Sequence, residues 1–223
     1  MAFLGLGVAG PAAHAQAALD KAIPASRTIP LQIGGVVLTV PIPEGYCTPR
    51  GEDGKLAQWM ASLDKENITY LQLDSCGSSA SNGDYYLIKG LRTHQFIDVT
   101  LTELLDGARA NFATATSIDL TQVKEDLGKA LSTRAGSAVN VDAKVVPRGL
   151  DELCAYMGGT LEFAGGLIES GKGIASVGIC LTVIGGRMIT INVYAPGGDP
   201  KTLPELLAKT KSLAKGISVA GSY

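Results

Sequence analysis

Histidine is almost missing from this chain of 223 residues, with His14 and His94 the two that occur. That scarcity excludes most zinc sites built on several imidazoles. It also leaves His94 as the imidazole any Ser-His-Asp triad would have to use, because His14 falls in an N-terminal segment read below as a leader. Serines 75, 78, 79 and 81 cluster upstream of His94, but no Gly-x-Ser-x-Gly elbow surrounds them. There is no Cys-x-x-Cys, which argues against a zinc knuckle or a thioredoxin-type redox pair. A formal net charge of -2 lacks the basic footprint of a nucleic-acid binder. Aromatic residues make up 5% of the chain, so the core is expected to be aliphatic. No internal repeat is found, and beyond the first residues no run is apolar enough to cross a bilayer of ~30 Å.

What is present begins with an address. Met1 to Gly10 is almost wholly apolar, Pro11-Ala12-Ala13 breaks the run, and Ala13-His14-Ala15 has the Ala-x-Ala form of a cleavage site. These are the h-region and c-region of a secretory signal peptide. No Lys or Arg precedes Lys21, the pattern expected of a leader truncated at its start. The expected organisation is a signal peptide over 1–16, a tether over 17–27 and one domain over 28–223. The mature protein, starting at Gln16 or Ala17, is expected to be periplasmic or secreted by a bacterium. About 207 residues would remain, enough to bury roughly 70% of the unfolded surface.

The pattern of elements predicts an α+β fold with an antiparallel sheet packed by several helices. Ile29–Ile33 and Val36–Ile42 read as strands joined by Gly34-Gly35, a dipeptide suited to a type I′ turn. Leu56, Trp59, Met60 and Leu63 mark a helix over Lys55–Lys65, and Trp59 is expected to pack it on the sheet. Ile68–Leu73 and Tyr85–Leu91 follow as strands. Thr100 and Glu103 form a capping-box pattern ahead of a second helix. Leu120, Val123, Leu127 and Leu131 give a third helix one apolar face over Asp119–Leu131. Ser137–Val146 reads as extended. Three strands are expected over Asp151–Phe163, Ile174–Ile184 and Met188–Ala195, the last two joined by Gly185-Gly186. Thr202–Ile217 closes the chain as an amphipathic helix. Strands and helices come in blocks rather than alternating, which disfavours a doubly wound parallel sheet.

The four cysteines, Cys47, Cys76, Cys154 and Cys180, all follow the leader, and in an exported chain an even number suggests disulfides. Four cysteines allow three pairings. If Asp151–Phe163 and Ile174–Ile184 form a hairpin turning near Leu167, facing residues have numbers that sum to about 334, which sets Cys154 opposite Cys180. Cys47–Cys76 follows by elimination and from their positions at strand ends.

Other chemistry is thinly signalled. Gly166 to Lys172 has the spacing of a phosphate-binding loop, but Gly173 stands where Ser or Thr is wanted, and a strand follows instead of a helix. On an extended reading Tyr86, Arg92 and His94 share one face, so these three are the candidate ligand-binding residues. No catalytic residue is assigned, and no metal site or cofactor is expected. Asp74, Asn82 and Asp84 surround a turn but lack the calcium-loop pattern. Adjacent carboxylates at 125–126 and 151–152 diverge, so neither makes an acid/base pair.

Val37 to Tyr46, a strand ending in a Pro-Glu-Gly aromatic turn, and the terminal strand–turn–helix from Met188 to Ile217 resemble the PsbP/DcrB-like family of exported or lumenal proteins. The resemblance implies an antiparallel sheet flanked by helices with the C-terminal helix across it, and a non-enzymatic accessory or envelope protein. The four cysteines and the long central helices depart from that family. The expected function is therefore an exported, non-catalytic periplasmic accessory or binding protein with an envelope partner. The alternatives are an envelope serine hydrolase using His94 and a small-ligand carrier with a tyrosine-lined pocket.

Overall fold

The computed structural model describes residues 27–77, 83–165 and 172–221. The expected leader, residues 17–26 of the tether, Ser78, Ser79, Ser81, Asn82 and the Gly166–Gly171 stretch lie outside the described residues.

The chain enters through a hairpin. β1 (Thr28–Ile33) and β2 (Val36–Pro41) pair antiparallel, with Ile33 facing Val36. Gly34 and Gly35 adopt φ of 51° and 86°, the left-handed pair that a type I′ turn demands. A two-residue strand from the far end of the chain, Ser218–Val219, pairs with β2 from its other side and completes a three-stranded sheet.

The second sheet has seven antiparallel strands. In chain order they are β3 (Tyr46–Cys47), β4 (Asn67–Ser75), β5 (Tyr85–Leu91), β6 (Val139–Leu150), β7 (Ala155–Gly165), β8 (Lys172–Ile184) and β9 (Arg187–Pro196). In space they run β3-β4-β5-β9-β8-β7-β6. Gly185-Gly186 closes the β8–β9 hairpin with φ of 59° and 77°.

Among the described residues four α-helices flank the sheets: α1 (Gly51–Leu63), α2 (Leu101–Phe112), α3 (Thr121–Ala135) and α4 (Thr202–Gly216). Both reciprocal bonds of the capping box at Thr100 and Glu103 are made. α4 lies on β8 and β9 and touches β2 and β7, so the C-terminal helix crosses the sheet as the resemblance implied. Leu206, Leu213, Ala214 and Ile217 join Leu31, Ile33, Leu38 and Val40 of the small sheet and Ile88, Ile189, Ile191 and Val193 of the large one in a single apolar cluster. α4 comes this close because the strand positions beneath it are glycines. A Cβ on Gly178 would lie 2.8 Å from Leu206 Cβ, and one on Gly158 would lie 2.5 Å from Leu203 Cδ1.

Three sequence expectations shift. α1 starts at Gly51 and buries none of its residues; Leu56 and Met60 stay exposed. Trp59 is half-buried, with the Arg134 guanidinium of α3 at 4.4 Å from its ring centroid, so one face of the indole serves a helix–helix cation–π contact. On α3 Val123 is 49% exposed, and the buried residue is Gly128, where an added Cβ would meet Val139 O at 3.2 Å.

The third shift is in hairpin register. β7 begins at Ala155, and Tyr156 faces Cys180, a sum of 336 rather than 334. Asp151 explains the late start: its Oδ1 accepts the N–H groups of Leu153 and Cys154, both at 2.9 Å, and folds 151–154 into a turn. A slip of two keeps every side chain on its own face, whereas a slip of one would not. Cys154 therefore reaches Cys180 diagonally, at a Cα–Cα distance of 5.3 Å. Cys47–Cys76 has the same Cα–Cα distance and the same diagonal form, since Cys47 faces Asp74.

Candidate functional site

The three residues expected to share a ligand-binding face do not gather. β5 stops at Leu91, and Arg92–His94 is a turn of 3-10 helix, which ends the alternation on which the shared face depended. Arg92 ties that turn to the start of β4, its Nε and Nη2 donating to the carbonyls of Lys65 and Asn67 at 3.1 and 3.2 Å. His94 Nδ1 sits 2.9 Å from the Thr93 hydroxyl. Tyr86 lies in the core, 4% exposed and edge-on to Tyr46 at 4.8 Å. The structure thus keeps Arg92 and His94 in one turn and commits Tyr86 to packing.

Below Tyr86 a polar network fastens α4 to the large sheet. Asp84 accepts from the Tyr46 hydroxyl, the Ser75 hydroxyl and Lys209 Nζ, each at 2.6 Å. Desolvation opposes ionisation of Asp84, but Lys209, Ser75 and Tyr46 outweigh it and hold its pKa at about 2. Its charge is spent on α4, and Asp74 points to the opposite face of the sheet, so the two do not converge on a cation.

This network sets an acid limit. An unfolded aspartate titrates near 3.9, so the Asp84 contribution is complete above about pH 4 and falls away as pH drops through 2. The difference is worth about 2 kcal/mol. Urea unfolding at pH 5 and pH 2 is expected to show the native protein losing about 2 kcal/mol more than Asp84→Asn over that interval; parallel losses would refute the assignment.

The opposite face carries the candidate site. A cavity of about 770 Å³ opens between β1, β3, the start of α1 and the end of β4. Arg27, Arg50, Asp53, Asp74 and the Cys47–Cys76 bridge line it. Strand pairing sets Cys47 and Asp74 of its lining side by side, in a row that continues beyond the cavity: Cys47 faces Asp74, Asp74 faces Tyr85, and Tyr85 faces Tyr194, across four strands. The two tyrosine rings of that row stack at 4.8 Å with 12° between planes. Cys76, two residues beyond Asp74, lies on the same face, so the disulfide runs diagonally beside the carboxyl group.

Asp74 is 7% exposed. The Gln72 amide donates to its Oδ1 at 2.8 Å. Burial pushes its pKa up; Gln72 pulls it back, and nearby Asp53 adds to the rise. Sequence reading had placed Asp74 only at a turn. The overlooked signal was a charged residue continuing the alternation of Ile68–Leu73 and standing two positions before a cysteine. A smaller cavity of about 300 Å³ at the start of α4 is lined by Lys144, Arg148, Ser176 and Asp199. There Arg148 Nε donates weakly to Gly158 O at 3.4 Å, and the Ser176 hydroxyl donates to Gly197 O at 2.9 Å.

No protein-family model matches the chain, and no match is found among curated proteins. Solved structures are similar at low identity. They include cyanobacterial PsbP (CyanoP) from Synechocystis sp. PCC 6803, 14% identical with a TM-score of 0.36, covering 96% of this chain and 98% of that one. LpqN, involved in cell envelope biogenesis of Mycobacterium tuberculosis, is 9% identical with a TM-score of 0.33, over 86% of this chain and 90% of its own. The Saccharomyces cerevisiae Ran-binding protein Mog1p is 8% identical with a TM-score of 0.33, over 87% and 96%. A PsbP structure is thus among the neighbours of a chain whose sequence resembles the PsbP/DcrB-like family.

Proposed function

We propose that this chain is an exported, non-catalytic accessory or binding protein of the bacterial cell envelope, held together by two disulfides. The observation that carries this reading is the pair of bridges, Cys47–Cys76 and Cys154–Cys180, each joining neighbouring strands. Structural disulfides form and persist in oxidising compartments and are rare in a reducing cytosol. The apolar run ending in Ala13-His14-Ala15 supports the same address. A binding role accords with the cavity beside Cys47–Cys76, where Arg27, Arg50 and Asp53 line a space open to a partner.

Fractionation of bacteria expressing the full chain, followed by N-terminal sequencing, tests the address. The mature protein is expected in the periplasmic fraction with Gln16 or Ala17 at its N-terminus. Periplasmic protein that retains Met1, or protein confined to the cytoplasm, would overturn the reading.

A further inference from the structure

The two disulfides sit in opposite surroundings. Cys154 and Cys180 are fully buried, both 0% exposed. Cys76 is exposed, Cys47 is half-buried, and their bridge forms part of the wall of the 770 Å³ cavity. The residue directly across from Cys47 in the ladder is the buried Asp74, which lines the same cavity. Gln72 bonds one oxygen of that carboxyl group. Arg27, Arg50 and Asp53 line the same cavity, and Arg27 Nη2 donates to the carbonyl of Tyr46, one residue before Cys47, at 2.9 Å.

We propose that Cys47–Cys76 is a thiol-exchange site, opened and closed by a dithiol that enters this cavity, with Asp74 carrying the proton for Cys47. The incoming thiolate attacks Cys76 Sγ, the more accessible sulfur. The Cys47–Cys76 bond breaks, a mixed disulfide forms, and Cys47 leaves as a thiolate that takes the proton of the Asp74 carboxyl group. The second thiol of the partner then attacks the mixed disulfide and releases Cys76. Two electrons pass from the dithiol, which becomes a disulfide. Its two protons end on Cys47 and Cys76 once Asp74 is reprotonated from solvent. Closure runs these steps in reverse, with Asp74 as the base.

The consequence of opening is local. α1 lies inside the loop the bond closes and buries none of its residues, while β4, in the same loop, is held by its ladder with β5 and by Leu71 and Leu73 in the core. The site rests on the function proposed above in one respect: both bridges must be formed in the native protein.

The test uses the full oxidised chain under native conditions, with dithiothreitol as the dithiol, iodoacetamide quenching and peptide mapping over time. Cys47 and Cys76 are expected to be labelled about 100-fold faster than Cys154 and Cys180. Equal rates, or earlier labelling of the buried pair, would overturn the proposal. Asp74→Asn keeps an acceptor for Gln72 but carries no proton. It is expected to slow opening about tenfold or more and to let the rate climb more steeply with pH, because the falling fraction of protonated Asp74 no longer offsets the rising fraction of thiolate; an unchanged rate and profile would remove Asp74 from the step.

The groups facing Asp74 are Gln72 on its own strand, Tyr85 on β5, Asp53 on α1, and Arg27 and Arg50 at the rim. Asp53→Asn, at the exposed start of α1, is therefore expected to move the acid side of the pH profile to lower pH, and no movement would count against the proposal. If Cys154 and Cys180 are free thiols in the untreated protein, the function proposed above fails and the exchange site falls with it. If both bridges are present and open together, the exchange site alone fails.

Discussion

Replacing Cys154 and Cys180 together by alanine will lower the unfolding free energy by about 2–5 kcal/mol and Tm by roughly 4–20 °C. The bridge closes a loop with a sequence separation of 26 and fixes the turn at Asp151 to β8. Both cysteines also belong to the main apolar cluster, so their truncation leaves a hole that the surrounding strands cannot fill completely. Replacing Cys47 and Cys76 in the same way is expected to cost less. Its sequence separation of 29 predicts nearly the same chain-entropy term, but Cys76 faces solvent and no buried cavity results. Urea unfolding of the two double variants separates the contributions. Equal losses would show that loop closure governs both bridges, and a greater loss for Cys47 and Cys76 would contradict the packing argument.

Gly159→Ala is expected to cost about 3 kcal/mol, the upper end for an overpacked site. A Cβ at this position would stand 1.7 Å from Lys144 O and 2.8 Å from Lys144 C, both backbone atoms of β6. Side-chain rotation cannot relieve such a clash, so β6 and β7 would have to separate along a ladder that runs from Val139 to Leu150. Gly178→Ala is expected to cost less, about 1–3 kcal/mol, because α4 can lift slightly from β8. Its nearest neighbour there would be Leu206 Cβ at 2.8 Å, and Leu206 is 1% exposed. Thermal unfolding of the two variants checks the order; a neutral Gly159→Ala would contradict the observed β6–β7 register.

Local chemistry was legible in the sequence wherever a few neighbouring residues decide the outcome. The Gly34-Gly35 and Gly185-Gly186 turns, the Thr100–Glu103 cap and the amphipathic α4 are of this kind. The pairing of cysteines was legible too, although the β7–β8 register was off by two. The Asx turn at Asp151 consumes residues that alternation alone assigns to a strand. β3 and the final strand at Ser218–Val219 span two residues each and leave no periodic signal. Glycines 158, 159 and 178 are close-approach sites within strands, which only the tertiary arrangement reveals.

The candidate site was the least legible part. Its walls come from residues 27–29, 42, 47–50, 53 and 74–77, brought together by sheet pairing and by the placement of α1. The alternation that suggested Tyr86, Arg92 and His94 ended one residue too soon, at Leu91. Asp74 became a candidate only when pairing set it across from Cys47 and beside a cavity.

Peptide mapping without reduction, on protein taken from cells whose thiols are blocked at lysis, decides whether an exported protein is closed by two specific disulfides. Two cross-linked peptide pairs are expected, Cys47 with Cys76 and Cys154 with Cys180. Four blocked thiols, or a fragment joining Cys47 to Cys154, would contradict that pairing.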